Sequence, residues 1–384
     1  MRIAINTFVL SSKRGQGGPG RYLAGLINGL AAIDSPHSIY LLCNHDNAGF
    51  MPDVGKFRKI LCGRLTESRP TRILCEQLLL PLYVKHFAID VLHSPNFVAP
   101  ALVPSCSVLT IHDMTWFSHA TMHRSIKSLY FTRMIPLSAS VSQKVITVSH
   151  ASKAEILRFL PIPEYKISPV YNGVDLTLFH PVQEQSVRKM LAWRYGIPDN
   201  PFILTIGKIH PRKNVLGLVK AFGILKSRGC VHKLVVAGEI LWGRNELLAP
   251  IHSLGLKNDV IFTGYVQDVD LPSLYSNADV FVYPSFFEGF GLPVLEAMAC
   301  GTPVITSNIS SLPEVAGDAG LLIDPYDIEA LADNIWKVIT DHTLQEHMRI
   351  RGLEWVKGFT WEATARKTMD VYEEAYKLWR AQRS

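Results

Sequence analysis

No stretch of this chain approaches the roughly 18 uncharged apolar residues that a membrane-spanning helix needs, and its six cysteines (43, 62, 75, 106, 230 and 300) never stand as Cys-x-x-Cys. The first absence excludes a helical membrane-spanning protein. The second excludes a zinc ribbon and a disulfide-framed module, and fits reduced core thiols in a cytoplasmic protein. Low-complexity tracts and short repeats are missing too. No basic stripe with interleaved aromatics is present, so nucleic acid is not an expected partner. The opening MRIAINTFVLSSKRG has a short apolar run but no small-residue cleavage site. It is expected to form a first strand and not a signal peptide.

What is present is an ordinary globular composition. With 384 residues, 48% hydrophobic and 19% charged, the chain has room for two domains with ample core. The net charge of +6 is unevenly shared: residues 1–175 carry 18 Lys/Arg against 10 Asp/Glu, and residues 176–384 carry 21 against 23. The basic excess is densest around Lys56, Arg58, Lys59, Arg64, Arg69 and Arg72. It reads either as a solvated surface or as a face turned to an anionic membrane or a phosphorylated acceptor.

Short apolar runs alternate with amphipathic stretches almost from end to end, which predicts an α/β protein with parallel sheets. Strands are expected near Arg2–Val9, Ile39–Cys43, Lys59–Leu61, Val91–His93, Val108–Ile111 and Val145–Val148. Helices are expected at about Gly20–Ile33, Arg72–Phe87, Arg124–Ser138 and Ala151–Leu160. A second strand series follows at Phe202–Ile206, Lys233–Ala237, Val260–Phe262, Val280–Tyr283, Val304–Thr306 and Gly320–Ile323. Between the series, Asn172–Pro181 carries turn chemistry without a period and is expected to be the linker. Beyond Asp327 the chain reads as mostly helical. Two doubly wound halves are predicted, each with its ligand edge at the carboxyl ends of its strands, facing each other across a cleft.

Three segments carry chemistry. In Pro284–Pro303, PSFFEGFGLPVLEAMACGTP, a glycine-rich turn enters a helix and leaves backbone N–H groups aimed at an anion. Glu288 and Glu296 flank that anion hole and suit neutral hydroxyl groups, so a ligand with phosphate in its middle and sugars on both sides is expected. The loop Gly207-Lys-Ile-His-Pro-Arg212-Lys213-Asn214 places cations at a strand's carboxyl end. It reads as a phosphate site, with a solvated basic turn as the bland alternative. Gly15-Gln-Gly17-Gly18-Pro-Gly20 matches a dinucleotide fingerprint literally. Four intervening polar or basic residues, the imino Pro19 and the missing acid after the second strand all count against nicotinamide or flavin binding. A structural turn or a backbone cradle for phosphate remain.

Taken together, these residues resemble the retaining glycosyltransferases of family 4, with the GT-B fold. The resemblance rests on Glu288-GFGLPVL-Glu296 and its flanks, SSLPEVAGDAGLLIDP, IGKIHPRKN, ITVSHASKAEI, YNGVDLTLF and GGPGRY, and it covers nearly the whole chain. It implies an N-terminal acceptor domain over 1–175, joined by a returning helix at about 361–384, and a nucleotide-sugar donor domain over 176–360. It implies that Glu296 holds the nucleotide ribose and that Glu288 sits at the transferred sugar, with the backbone of Phe290, Gly291 and Leu292 on sugar and phosphate. Lys213 would neutralise the leaving diphosphate. The family places an arginine directly after the loop glycine; here Lys208 stands there and Arg212 precedes the lysine, so either could take that role. Gly17 and Gly18 would close on the diphosphate. His112 would approach the sugar's hydroxyls, or else be a loop histidine satisfied locally.

The expected partners are a nucleotide-sugar donor and a glycan or lipid-linked acceptor, with no cofactor, no metal and no nucleic acid. The forms TIHDMTW and HPRKN are most similar to bacterial mannosyltransferases of surface-polysaccharide synthesis that use GDP-mannose. UDP-glucose and UDP-N-acetylglucosamine are alternative donors, and a non-catalytic nucleotide-sugar-binding protein is the alternative outside enzymes. The expected location is the cytoplasm, at the inner face of the plasma membrane if the basic half binds it.

Overall fold

The protein is described by a computed structural model that covers residues 1–383 apart from 11–16, 53, 119–125, 183–184 and 241–242. The chain divides into two compact units, Met1–Gly173 with Trp361–Ser384, and Val174–Thr360.

The first unit holds seven parallel strands: β1 Arg2–Asn6, β2 Ser38–Cys43, β3 Phe57–Leu61, β4 Val91–Ser94, β5 Cys106–Ile111, β6 Lys144–Thr147 and β7 Ile167–Pro169. Their spatial order is β3-β2-β1-β4-β5-β6-β7. The second unit holds six: β8 Phe202–Ile206, β9 Lys233–Ala237, β10 Val260–Gly264, β11 Val280–Tyr283, β12 Val304–Ser307 and β13 Leu321–Ile323, ordered β10-β9-β8-β11-β12-β13. Every pairing within these sheets is parallel. Helices must therefore cover both faces, so the central strands read as continuous apolar runs, and all of β5 and β11 is buried. In the second unit the helices Val215–Ser227 and Ile328–Thr340 pack on the sheet through Leu218, Phe222, Leu225, Leu331 and Ile335. Truncating a fully buried phenylalanine such as Phe222 to alanine costs about 3–5 kcal/mol.

Three expectations are corrected, and two elements are new. The first strand ends at Asn6: the Thr7 hydroxyl turns to the Leu42 carbonyl (2.8 Å), and the Phe8 N–H donates to the Asn6 side chain (3.0 Å). The single helix expected at 72–87 is two, Arg69–Leu78 and Leu80–His86, meeting at Leu79. The helix expected at about Arg124–Ser138 runs Ile126–Val141, past an internal Pro136, with Arg124 and Ser125 outside the described residues. The short β7 was not expected, and neither was the helix Gln185–Tyr195.

The helix Trp361–Ala381 belongs to the first unit and lies on the helix Gly18–Ala32. Two glycines allow this approach. A Cβ on Gly25 would sit 2.0 Å from the Trp361 ring, and one on Gly29 would sit 2.1 Å from the Trp361 carbonyl oxygen. A buried polar chain ties the same elements together. Tyr372 Oη lies 2.7 Å from His93 Nδ1, His93 Nε2 lies 2.8 Å from Thr110 Oγ1, and Thr110 Oγ1 lies 3.2 Å from Tyr22 Oη. Burial lowers the His93 pKa to about 3, so the imidazole that closes this chain is neutral.

Candidate active site

In a doubly wound sheet, ligands bind beyond the carboxyl ends of the strands where the strand order reverses. In the second unit that point lies between β8 and β11. The loops after these two strands carry the cationic residues and Glu288 respectively, so the topology alone brings the two sequence signals together.

The loop after β8 closes in a short 3-10 turn, Pro211–Lys213. The Arg212 N–H points at His210 Nδ1 (3.4 Å). Asn214 follows in the left-handed region (φ 54°), and its side chain caps the helix Val215–Ser227 by accepting from the Gly217 N–H (3.2 Å). The two loops then stitch to each other. The Phe286 N–H donates to the Arg212 carbonyl (2.8 Å), and Arg212 Nη1 donates to the Phe287 carbonyl (2.9 Å).

At the centre is Glu288, buried with 6% exposure. Arg212 Nη1 donates to Glu288 Oε2 (2.9 Å), and Lys213 Nζ donates to Oε1 (2.5 Å). Burial pushes a carboxyl group's pKa up, but the two cations overturn that effect and bring Glu288 down to about 2. A third partner was not foreseen from the sequence. Tyr283, the last residue of β11, donates its hydroxyl to Glu288 Oε1 (3.1 Å), accepts a hydrogen bond from Lys213 Nζ, and lies with its ring 4.6 Å from that ammonium. Burial, then the Glu288 carboxylate, hold the Tyr283 phenol well above its ordinary pKa, so it stays protonated and donates.

The backbone of Glu288 is clamped by serines from the loop after β12. Ser310 Oγ accepts from the Glu288 N–H (3.1 Å) and donates to the Glu288 carbonyl (2.6 Å). Ser311 Oγ lies 3.0 Å from the Glu288 carbonyl and 2.7 Å from that of Phe290. Ser310 sits at φ 60°, a conformation that is costly without glycine and is held here by those two bonds. Only the SSLPE run hinted at these residues. Gly291 (φ 114°) then opens the helix Leu292–Ala299, where a Cβ would meet Leu312 Cδ2 at 2.8 Å. The helix starts with Leu292 and has Pro293 in its first turn, and Phe290 just ahead of it is buried. Glu296, 3% exposed on this helix, accepts from the Tyr275 hydroxyl at 3.0 Å.

The two candidates for the loop arginine's place separate. Arg212 is on Glu288, whereas Lys208 is exposed and makes no ion pair among the described residues. Among the described residues no group of three or more His, Cys, Asp or Glu side chains is arranged to hold a metal ion.

In the first unit, His112 follows β5 and is buried. Its Nε2 lies 2.9 Å from the Pro95 carbonyl, which can only accept, so Nε2 carries the proton. Burial lowers its pKa, and the ring is held edge-on between Tyr22 (4.9 Å) and Phe97 (5.5 Å). That leaves Nδ1 as the ring's acceptor. Gly17 and Gly18 open the helix Gly18–Ala32, both exposed, with no atom of the described residues within 4 Å of a Cβ placed on either. Gly15 and Gln16 of the same run lie outside the described residues.

Comparison with known proteins agrees with this architecture. Residues 188–355 match the family described as glycosyl transferases group 1, and residues 16–178 match glycosyltransferase family 4. The O-antigen chain mannosyltransferase B of Escherichia coli is 36% identical over 287 residues, 73% of this chain and 73% of its own length. The serotype-specific mannosyltransferase WbdA of the same organism is 32% identical over 59% of this chain, but only 28% of its own length is matched. Among solved structures, sucrose-phosphate synthase from Thermosynechococcus elongatus superposes with a TM-score of 0.75 at 22% identity, covering 98% of this chain and 99% of the other. The Anabaena protein HepE, bound to UDP and glucose, gives 0.72 at 20% identity over 96% and 98%. The family matches over both halves, and a relative aligned along most of its length, place the chain in glycosyltransferase family 4: it is a glycosyltransferase with the GT-B fold.

Proposed function

We propose that this enzyme moves mannose from GDP-mannose to a glycan or lipid-linked oligosaccharide, with retention of configuration and without a divalent metal. The observation that carries the reaction type is the buried Glu288 carboxylate shared by Arg212 and Lys213 at the switch point of the second sheet. The likeness to O-antigen mannosyltransferases supports the choice of sugar.

Breaking the bond between the sugar's anomeric carbon and the phosphate oxygen leaves the electron pair on the diphosphate. Fixed cations and N–H dipoles aimed at that oxygen lower the barrier because they bind the separated charge more tightly than the intact donor. Lys213 and Arg212 supply the cations, and the backbone N–H groups of Phe290, Gly291 and Leu292 supply the dipoles. The acceptor hydroxyl bonds to the anomeric carbon from the face the diphosphate is leaving, and its proton passes to the departing phosphate oxygen. In the free protein both cations rest on Glu288, so the donor competes with a carboxylate for them. Once they engage phosphate, Glu288 keeps the Tyr283 hydroxyl and is released toward the sugar, where it orients hydroxyl groups. A nucleophilic Glu288 also retains configuration. Glu296 accepts from the ribose hydroxyls beside Tyr275. His112 presents its Nδ1 acceptor to a sugar hydroxyl, and Gly17 and Gly18, which no described residue crowds, let backbone approach the diphosphate.

Thermal stabilisation by a panel of nucleotide sugars tests the donor, since ligand at a hundred times its Kd adds about 2.7 kcal/mol. GDP-mannose is expected to give the largest shift, and turnover is expected to survive chelator treatment. A larger shift with UDP-glucose or UDP-N-acetylglucosamine overturns the sugar assignment, and a strict Mg²⁺ or Mn²⁺ requirement overturns the metal-free scheme.

A further inference from the structure

The helix Gly18–Ala32 buries Leu23, Leu26 and Leu30, but the pair Arg69–Leu78 and Leu80–His86 turns three leucines outward. Its inner side is conventional: Cys75, Leu80 and Val84 are buried. Leu79 at the junction keeps helical dihedrals (φ −88°, ψ −34°), so the two pieces run on with little break in phase. Leu74, Leu78 and Leu82 therefore recur every fourth residue along one face. That face points into solvent, with the three side chains 59%, 59% and 62% exposed. The turn Arg64–Thr66 packs against the first of these helices, and its Leu65 is also exposed, as is Leu61 at the end of β3. Three leucines exposed in line on one helical face form an apolar stripe of the kind that marks a contact.

The charge around it is one-sided. Residues 56–86 carry seven Lys/Arg against two Asp/Glu, and Arg58, Lys59, Arg64 and Lys85 among them are exposed. No helix among the described residues is long and apolar enough to cross a membrane. An apolar stripe flanked by basic side chains, on a helix too polar to insert across a bilayer, has the composition of an interfacial element. Its leucines enter the acyl boundary while its cations meet lipid phosphates.

We propose that this face of the first unit docks on an anionic bilayer, with Leu74, Leu78 and Leu82 as the inserted stripe and Arg58, Lys59, Arg64 and Lys85 as the electrostatic flank. The docking surface stands apart from the donor assignment, because none of these residues lies in the site described above. It gives a location to the basic excess that composition alone left as either solvated surface or membrane contact.

Co-sedimentation of the full chain with vesicles tests it. Vesicles of mixed phosphatidylglycerol and phosphatidylcholine are expected to carry the protein down at low salt, pure phosphatidylcholine vesicles at least fivefold less, and 0.5 M salt is expected to weaken the anionic binding. Replacing the stripe (Leu74→Ser, Leu78→Ser and Leu82→Ser together) is expected to reduce partitioning at least tenfold while the melting temperature and turnover with a water-soluble acceptor stay put. Arg58→Glu with Arg64→Glu is expected to abolish the preference for anionic lipid. Equal partitioning of the stripe variant and the native protein, or no binding to anionic vesicles at low salt, overturns the proposal. So does a stripe variant that turns a dimer into a monomer while vesicle binding persists, since the face then joins two copies of the chain.

Discussion

Replacing Lys213 by methionine keeps most of the side chain's length and apolar contact and removes its charge. In the free protein Lys213 Nζ is one of two cations on a carboxylate that is itself buried. Deleting the sole partner of a buried charge costs about 3–5 kcal/mol. Arg212 stays 2.9 Å from the other oxygen, and Tyr283 still donates to Oε1, so about 2 kcal/mol is the expected loss here. For a domain of this size that lowers the melting temperature by roughly 4–8 °C. Catalysis should suffer more. A fixed charge on the leaving diphosphate acts chiefly in the transition state, and loss of one such donor typically removes about 2.7–4 kcal/mol, or 10²–10³ in kcat. The assay is nucleoside diphosphate release against donor concentration, with a thermal melt of the same sample. The expected pattern is a collapsed kcat, a donor KM altered by less than about tenfold, and a folded protein. If kcat stays within about threefold of native, Lys213 does not carry leaving-group charge and the reasoning fails.

Three other perturbations separate the remaining roles. Glu296→Ala should weaken donor affinity about tenfold or more, measured by calorimetric titration with GDP-mannose, if its carboxylate holds the ribose hydroxyls as proposed; unchanged affinity removes the ribose assignment. Tyr283→Phe keeps the ring under Lys213 but deletes the hydroxyl on Glu288. It should lower kcat roughly tenfold and move the acid limb of the kcat–pH profile upward, and a profile that stays in place would leave Tyr283 a packing residue. Glu288 also predicts an acid window. Its folded pKa of about 2 lies below the ordinary 4.5, so its contribution to stability is fully present above about pH 4.5 and is lost as pH falls toward 2. The shift corresponds to roughly 3 kcal/mol. In urea unfolding between pH 5 and 2.5, Glu288→Gln should show a shallower loss of stability than the native protein; parallel curves would mean the carboxylate is not held low.

The fold was legible where burial on both sheet faces forces long apolar runs. Phe202–Ile206, Lys233–Ala237 and Val280–Tyr283 are strands over the ranges their composition predicts. Legibility failed where side chains compete with the ladder, as Asn6 and Thr7 do at the end of β1. It also failed where a strand is as short as Ile167–Pro169 and contains a proline. At the site, the acids and cations could be named because few physical reasons put Arg212, Lys213, Glu288 and Glu296 beside glycine turns at strand ends. Tyr283 could not, since an aromatic closing a buried strand looks like core until the loop folds back and sets Lys213 against its hydroxyl. That Arg212 and not Lys208 reaches Glu288 was likewise not legible, because it depends on the turn at Pro211–Lys213 that carries the Arg212 side chain there.

The proposed transfer of mannose with retention can be followed directly by proton NMR. With GDP-mannose and a mannose-terminated acceptor, the first product formed should be an α-mannoside, with GDP accumulating in equal amount and Glu288→Ala abolishing both signals. A β-mannoside as the first product, or transfer from UDP-glucose with GDP-mannose left intact, would contradict it.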